Sequence, residues 1–225
     1  MNEHTVKSFD DDISQLRGLI AQMGGLAEVA IQGAMTALVR HDSEAAQRVV
    51  EDDRKIDALE AQVDQLAVQI IALRAPMADD LREVVAALKI SGVVERIGDY
   101  AKNIAKRSAA VEGRSRIEPL TLLPAMSEIA AAMVHDVLDA YAARDAEKAS
   151  AVIARDQKVD NFYDSIFRNL VSHMMENPTT ISSAAQLLFV AKNLERIGDH
   201  ATNIAEMVHY AATGTHPAER ERGTG

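Results

Sequence analysis

The chain has 225 residues, 48% hydrophobic and 26% charged, the balance of a folded protein rather than a disordered one. With 34 acidic against 24 basic residues, a net charge of -10 and 4% aromatics, it has the wrong sign and too few ring platforms for a nucleic-acid binder. It has no Cys, which excludes disulfide scaffolds, thiolate metal sites and Cys nucleophiles, and its 11 Gly and 5 Pro argue against a turn-rich all-β chain.

The first twelve residues lack the apolar core of a signal peptide, and no uncharged apolar run reaches the roughly 18 residues that span a bilayer. The expected protein is soluble, cytoplasmic and not membrane-spanning. Apolar residues at Ile13, Leu16, Ile20, Met23, Ala27, Ala30, Ala34 and Leu38 step by threes and fours and predict a long first helix. Gly24-Gly25 within it reads as a kink or a close packing point. Asp42 is placed to cap a second helix, whose stripe runs Val49, Ile56, Leu59, Val63, Leu66, Ile70 and Leu73. Pro76 ends it, and Asp79 is placed to cap a third helix reaching about Ala110. Residues 113–119 are polar, with Gly and Pro, and read as a linker. Three more helices are expected at about residues 120–143, 146–176 and 180–212. The polar tail, 213–225, is expected to be disordered.

Residues 95–105 read ERIGDYAKNIA and residues 195–205 read ERIGDHATNIA, nine of eleven positions identical at an offset of 100. Asp53-Arg-Lys-Ile-Asp57 matches Asp156-Gln-Lys-Val-Asp160 more weakly, and Asp42 and Glu44 have counterparts in Asp145 and Glu147. The predicted fold is therefore all-α, two tandem, similar three-helix bundles, spanning 8–112 and 120–212. Helices of about 30 residues would be about 45 Å long.

Glu95, Asp99 and Asn103 fall at i, i+4 and i+8 on one face of the third helix, opposite Ile90, Ile97, Ala101 and Ile104. Glu195, Asp199 and Asn203 repeat the arrangement. Carboxylates so spaced repel by a few tenths of a kcal/mol. Asp53 and Asp57 stack likewise on the second helix, as do Asp156 and Asp160 on the fifth. In an antiparallel unit the start of the middle helix lies beside the end of the last. This predicts one patch of Asp53, Asp57, Glu95 and Asp99, and another of Asp156, Asp160, Glu195 and Asp199. Four carboxylates in one place need counter-charge, and hard oxygen-ligand cations such as Mg, Mn or Fe supply it, with carbonyl oxygens from Asn103 and Asn203. Pairing with Arg96, Lys102, Lys106 or Arg196 is the plainer alternative.

Gly98 and Gly198 sit mid-helix inside these motifs, at about 1 kcal/mol relative to Ala, and admit a close neighbour, helix or ion. Lys102 and Lys106 near the first patch face Thr202 and Glu206 at the second. These flanking charges predict tighter binding by the second unit. The di-iron Glu-x-x-His signature occurs once only, at Glu206 and His209. His200 adjoins Asp199 but points about 100° away from it. No phosphate-binding Gly loop or nucleophile elbow is present.

The duplicated ERIGD motif resembles that of the PhoU family, the phosphate-specific transport accessory proteins of bacteria. Residues 6–28, 135–149 and 158–181 are similar too, so the resemblance covers nearly the whole chain. It implies two three-helix bundles with surface metal clusters held by the two aspartate pairs and the two Glu-Asp pairs above. It also implies a cytoplasmic, non-enzymatic negative regulator of phosphate-starvation signalling that limits phosphate uptake. Its implied partners are a phosphate ABC transporter ATPase subunit and a two-component sensor histidine kinase, and homodimers are common. The alternative is a metal-cluster-dependent phosphatase or phosphotransfer enzyme, for which the sequence offers no base or nucleophile beyond the carboxylates themselves.

Overall fold

The three-and-four spacing of the apolar residues closes into long helices whose stripes meet in a continuous core. The computed structural model describes residues 3–108, 110–111, 121–215 and 217, with side chains from residue 9 onward. In order these form α1 (Glu3–Arg40), α2 (Ser43–Arg74), α3 (Asp79–Ser108), α4 (Leu122–Ala143), α5 (Ala146–Ile153), α6 (Asp156–Glu176) and α7 (Ile181–Thr213). A short 3-10 turn, Pro178–Thr180, leads into α7, and no strand occurs among the described residues. The expected linker at 113–119, and the expected tail except residues 213–215 and 217, lie outside the described residues.

α1, α2 and α3 pack on one another, and α4, α5, α6 and α7 form the second unit. Leu16, Ile20, Met23, Ile31 and Leu38 from α1 are fully enclosed with Ile90, Ile97 and Ile104 from α3. Each such side chain contributes about 1.5–3 kcal/mol by leaving water.

The same turn joins the first two helices of each unit. His41 (φ 53°) and Arg144 (φ 55°) adopt the left-handed conformation. The next residue, Asp42 or Asp145, donates its N–H back to Ala37 O or Ala140 O, closing a Schellman motif. Each aspartate then caps the following helix: Asp42 Oδ1 accepts from Ala45 N at 2.9 Å, and Asp145 Oδ1 accepts from Glu147 N and Lys148 N. Asp79, by contrast, does not cap α3 from outside; it is the first helical residue and pairs with Arg82.

One expected helix is interrupted. Residues 146–176 divide into α5 and α6 at Ala154 and Arg155. Both stay near helical dihedrals, but Arg155 N bonds Val152 O in a tighter turn, and its guanidinium holds Asp136 at 2.5 Å. The break carries no Pro or Gly. It sets Asp156 in the first turn of α6, where the helix dipole favours negative charge.

The units meet along two antiparallel helix pairs. Residue 107 near the end of α3 touches residues 186 and 189 near the start of α7: Arg107 donates to Gln186 Oε1 at 2.8 Å and lies over the Phe189 ring. Farther along, Tyr100 and His200 meet edge to face, centroids 5.2 Å apart. These two residues are equivalents in the repeat, so the contact lies on an approximate two-fold axis. On the other side α1 crosses α4. A Cβ on Gly24 would fall 2.2 Å from Leu138 Cδ1, so Gly24 is the close packing point, and α1 passes through it as one helix. Beside it His135 approaches Glu28 at 3.2 Å. Glu83 of α3, only 6% exposed, ties the units together: Arg17 of α1 donates to one oxygen, and Arg144 at the end of α4 reaches the other at 3.3 Å. The Tyr141 hydroxyl is buried nearby without a hydrogen-bond partner, and burial and then the Glu83 charge push its pKa up.

Candidate metal centres

The face of α3 that carries Glu95 and Asp99 turns towards α2, and the corresponding face of α7 turns towards α6. The fold thus sets the expected carboxylates of each unit within electrostatic reach of one another. Gly98 permits this approach in the first unit: a Cβ there would lie 2.7 Å from Ile56 Cδ1 and 3.5 Å from Asp53 Oδ1. Gly198 is equally placed, with Val159 Cγ1 at 3.3 Å and Asp156 Oδ1 at 3.5 Å. Each glycine seats the neighbouring helix, and its aspartate oxygen comes along.

In the first unit Asp53 is 6% exposed, while Asp57 is open to solvent and Glu95 and Asp99 are half-buried. Burial, then Asp99, Glu60 and Asp57, push Glu95 up to about 7. Burial and then Asp53 and Asp99 raise Asp57, with Lys102 opposing. Glu60 belongs to this patch although the sequence reading omitted it; burial, Asp64 and Asp57 raise its pKa. The signal was present, since Asp53, Asp57, Glu60 and Asp64 continue the same three-and-four stripe of α2.

Lys102 takes the part that the plainer alternative, pairing with a nearby cation, offered it. Its ammonium bonds Asp53 Oδ2 of α2 and, at 2.5 Å, Asp99 Oδ1 of α3. Burial alone would lower the Lys102 pKa, but the bonds to Asp53 and Asp99 outweigh it and hold the group charged. A cation thus already joins one carboxylate from each helix.

In the second unit Asp156 is 6% exposed and Asp160, Glu195 and Asp199 are half-buried. Burial, then Glu195, Asp156 and Asp160, push Asp199 up to about 6. Lys192 pairs with Glu195 Oε1 at 2.7 Å, and the other oxygen, Glu195 Oε2, is buried with no hydrogen-bond partner. Thr202, buried and uncharged, stands at the position of Lys102. Asn103 is half-buried and Asn203 exposed, one turn beyond their aspartates.

A hard cation suits this donor set. The donors are carboxylate oxygens, burial and then neighbouring carboxylates push Glu95 and Asp199 up, one buried Glu195 oxygen has no hydrogen-bond partner, and the Lys102 ammonium sits between Asp53 and Asp99. Among the described residues, no three His, Asp or Glu side chains converge closely enough as they stand to hold an ion. His200 takes no part: its Nδ1 lies 2.9 Å from Arg196 O, and burial, with Arg96 and Arg196 adding to it, lowers its pKa. His209 bonds towards Thr215 O rather than pairing with Glu206.

Comparison with known proteins bears on the same two units. The PhoU domain model matches residues 20–108 and again 123–208. The phosphate-specific transport system accessory protein PhoU homolog of Zymomonas mobilis is 54% identical over 220 residues, covering 98% of this chain and 93% of the relative. The homolog of Caulobacter vibrioides is 46% identical, covering 95% and 94%. Among solved structures, PhoU from Pseudomonas aeruginosa superposes with a TM-score of 0.88 at 38% identity, covering 92% of this chain and all of that one. The phosphate transport system regulatory protein PhoU from Streptococcus pneumoniae gives 0.87 at 26% identity, covering 94% of this chain. Matched in both halves and along nearly its whole length, this chain belongs to the PhoU family.

Proposed function

We propose that the protein is a cytoplasmic, non-enzymatic regulator of phosphate homeostasis, which restrains phosphate-starvation signalling and limits uptake when phosphate is plentiful. In this reading it links the ATPase subunit of a phosphate ABC transporter to a two-component sensor histidine kinase, and works as a homodimer. The observation that carries it is the similarity, over 98% of the chain, to an accessory protein of a phosphate-specific transport system. Two features fit a binding role: long helical faces, and no helix among the described residues that is long and apolar enough to cross a membrane. Deleting the gene should raise starvation-gene expression in phosphate-rich medium. Expression unchanged by the deletion would remove the proposal.

Metal ions belong to this reading. Asp53, Asp57, Glu95 and Asp99, with Asn103, would hold ions in the first unit. Asp156, Asp160, Glu195 and Asp199, with Asn203, would hold them in the second. Bound there, Mg, Mn or Fe would neutralise the patches and offer open positions to phosphate or carboxylate oxygens. The protein's own part is to present paired carboxylates from two helices at a fixed separation, with Gly98 and Gly198 setting that separation.

A phosphatase or phosphotransfer activity is the second reading. It is favoured by Glu95 at about 7 and Asp199 at about 6, values suited to moving protons near neutral pH. Turnover of a phosphomonoester by Mn-loaded protein, abolished in the Asp99→Asn, Asp199→Asn double variant, would establish it.

A further inference from the structure

The two carboxylate patches differ most sharply three residues after the motif aspartate. There the first unit has Lys102, its side chain 21% exposed, and the second has buried Thr202. The Lys102 ammonium contacts Asp53 from α2 and Asp99 from α3 together. Asp53 and Asp99 are among the residues that would hold a metal ion in this unit. In the second unit Lys192 lies three residues before Glu195 on the same helix and engages one oxygen, leaving the other buried and unsatisfied. The ammonium of the first patch thus joins a carboxylate from each of two helices, whereas Lys192 in the second engages one Glu195 oxygen and leaves the other buried and unsatisfied.

We propose that Lys102 is the resident cation of the first unit, so that a hard divalent ion loads the second unit first and enters the first only by displacing that ammonium. The inference rests on the metal-binding reading above and specifies how the two sites differ. A tethered ammonium has no translational freedom to lose on pairing, so it competes at high effective concentration whatever the free metal level. The repeats are then unequal by construction. One is a metal site and the other is a site held shut by a lysine.

The test is titration of the full metal-stripped chain with Mn²⁺, followed by electron paramagnetic resonance of free Mn²⁺ and by equilibrium dialysis. Wild type should show a tight class of sites that Asp199→Asn removes and a weaker class that Asp99→Asn removes. Lys102→Met should tighten the weaker class by about tenfold or more, because a unit charge in contact with the ion is gone. Lys102→Gln retains a donor for Asp53 and should move it in the same direction, so the outcome does not hang on one variant's folding. Thr202→Lys should weaken the tight class. Equal affinity in both units, indifferent to both Lys102 variants, overturns the inference while metal binding stands. Mn²⁺ binding to neither unit, in wild type or variants, overturns both.

Discussion

At the scale of single residues, the molecule keeps acidic groups where they repel each other. Glu95 at about 7 and Asp199 at about 6 both bind a proton more tightly in the folded chain than in the unfolded one. The folded state therefore holds more protons between the ordinary carboxylate range and pH 7, and stability must fall as pH rises through that window. Urea midpoints of metal-stripped protein should increase from pH 8 to pH 5 and level off below about pH 4. Saturating Mn²⁺ should flatten or reverse the trend. Stability rising from pH 5 to pH 8 without metal would show that burial and the neighbouring carboxylates do not raise these groups in this way. These carboxylates were legible in the sequence because i, i+4 spacing is a helix property and both units repeat it. Lys102 was legible as one of several cations that could pair with the patch, but not as the one that bridges two helices. Whether it reaches Asp53, 49 residues away, depends on how close α2 and α3 come, and no spacing along one helix encodes that.

At the scale of helices, that closeness rests on two glycines which are not equally replaceable. Gly98→Ala would set a methyl 2.7 Å from Ile56 Cδ1. Overpacking of about 1–3 kcal/mol outweighs the gain in helix propensity of about 1 kcal/mol, for a net loss of about 1 kcal/mol. Gly198→Ala meets Val159 Cγ1 at 3.3 Å, a contact eased by a small shift, and should be near neutral. Chemical denaturation of the two variants checks the contrast, and equal losses would count against it. The helix ends follow a similar logic. Asp42 was readable as a cap, and Asp145 through its match to Asp42 in the repeat, because a side chain that bonds nearby N–H groups is a local signal. The break between α5 and α6 was not readable. It arises where Arg155 turns to Asp136 of α4, a tertiary contact acting on a stretch with no helix breaker of its own.

At the scale of the whole molecule, the units are joined by apolar helix faces and by one buried carboxylate. Glu83 accepts from Arg17 of its own unit and from Arg144 of the other. Glu83→Gln would leave both guanidiniums without their charge partner and should cost about 3 kcal/mol. Because Arg144 ends α4, the loss should speed amide exchange at that junction as well as lower the denaturation midpoint. A variant as stable as wild type would show that the helix faces and the remaining contacts between the units, such as Arg107 with Gln186, hold them together without it. The two-unit architecture was visible in the duplicated ERIGD stretch, whereas this tie was not, its members being 66 and 61 residues apart.

The meeting of Tyr100 with His200 has a wider consequence. Contact between a residue and its own repeat equivalent is the mark of an isologous interface, the kind that closes a symmetric dimer. Here that interface lies inside a single chain, as if two copies of one subunit had been fused and then allowed to diverge. Lys102 in one half and buried Thr202 in the other, at equivalent positions of the repeat, mark how far the two halves have diverged.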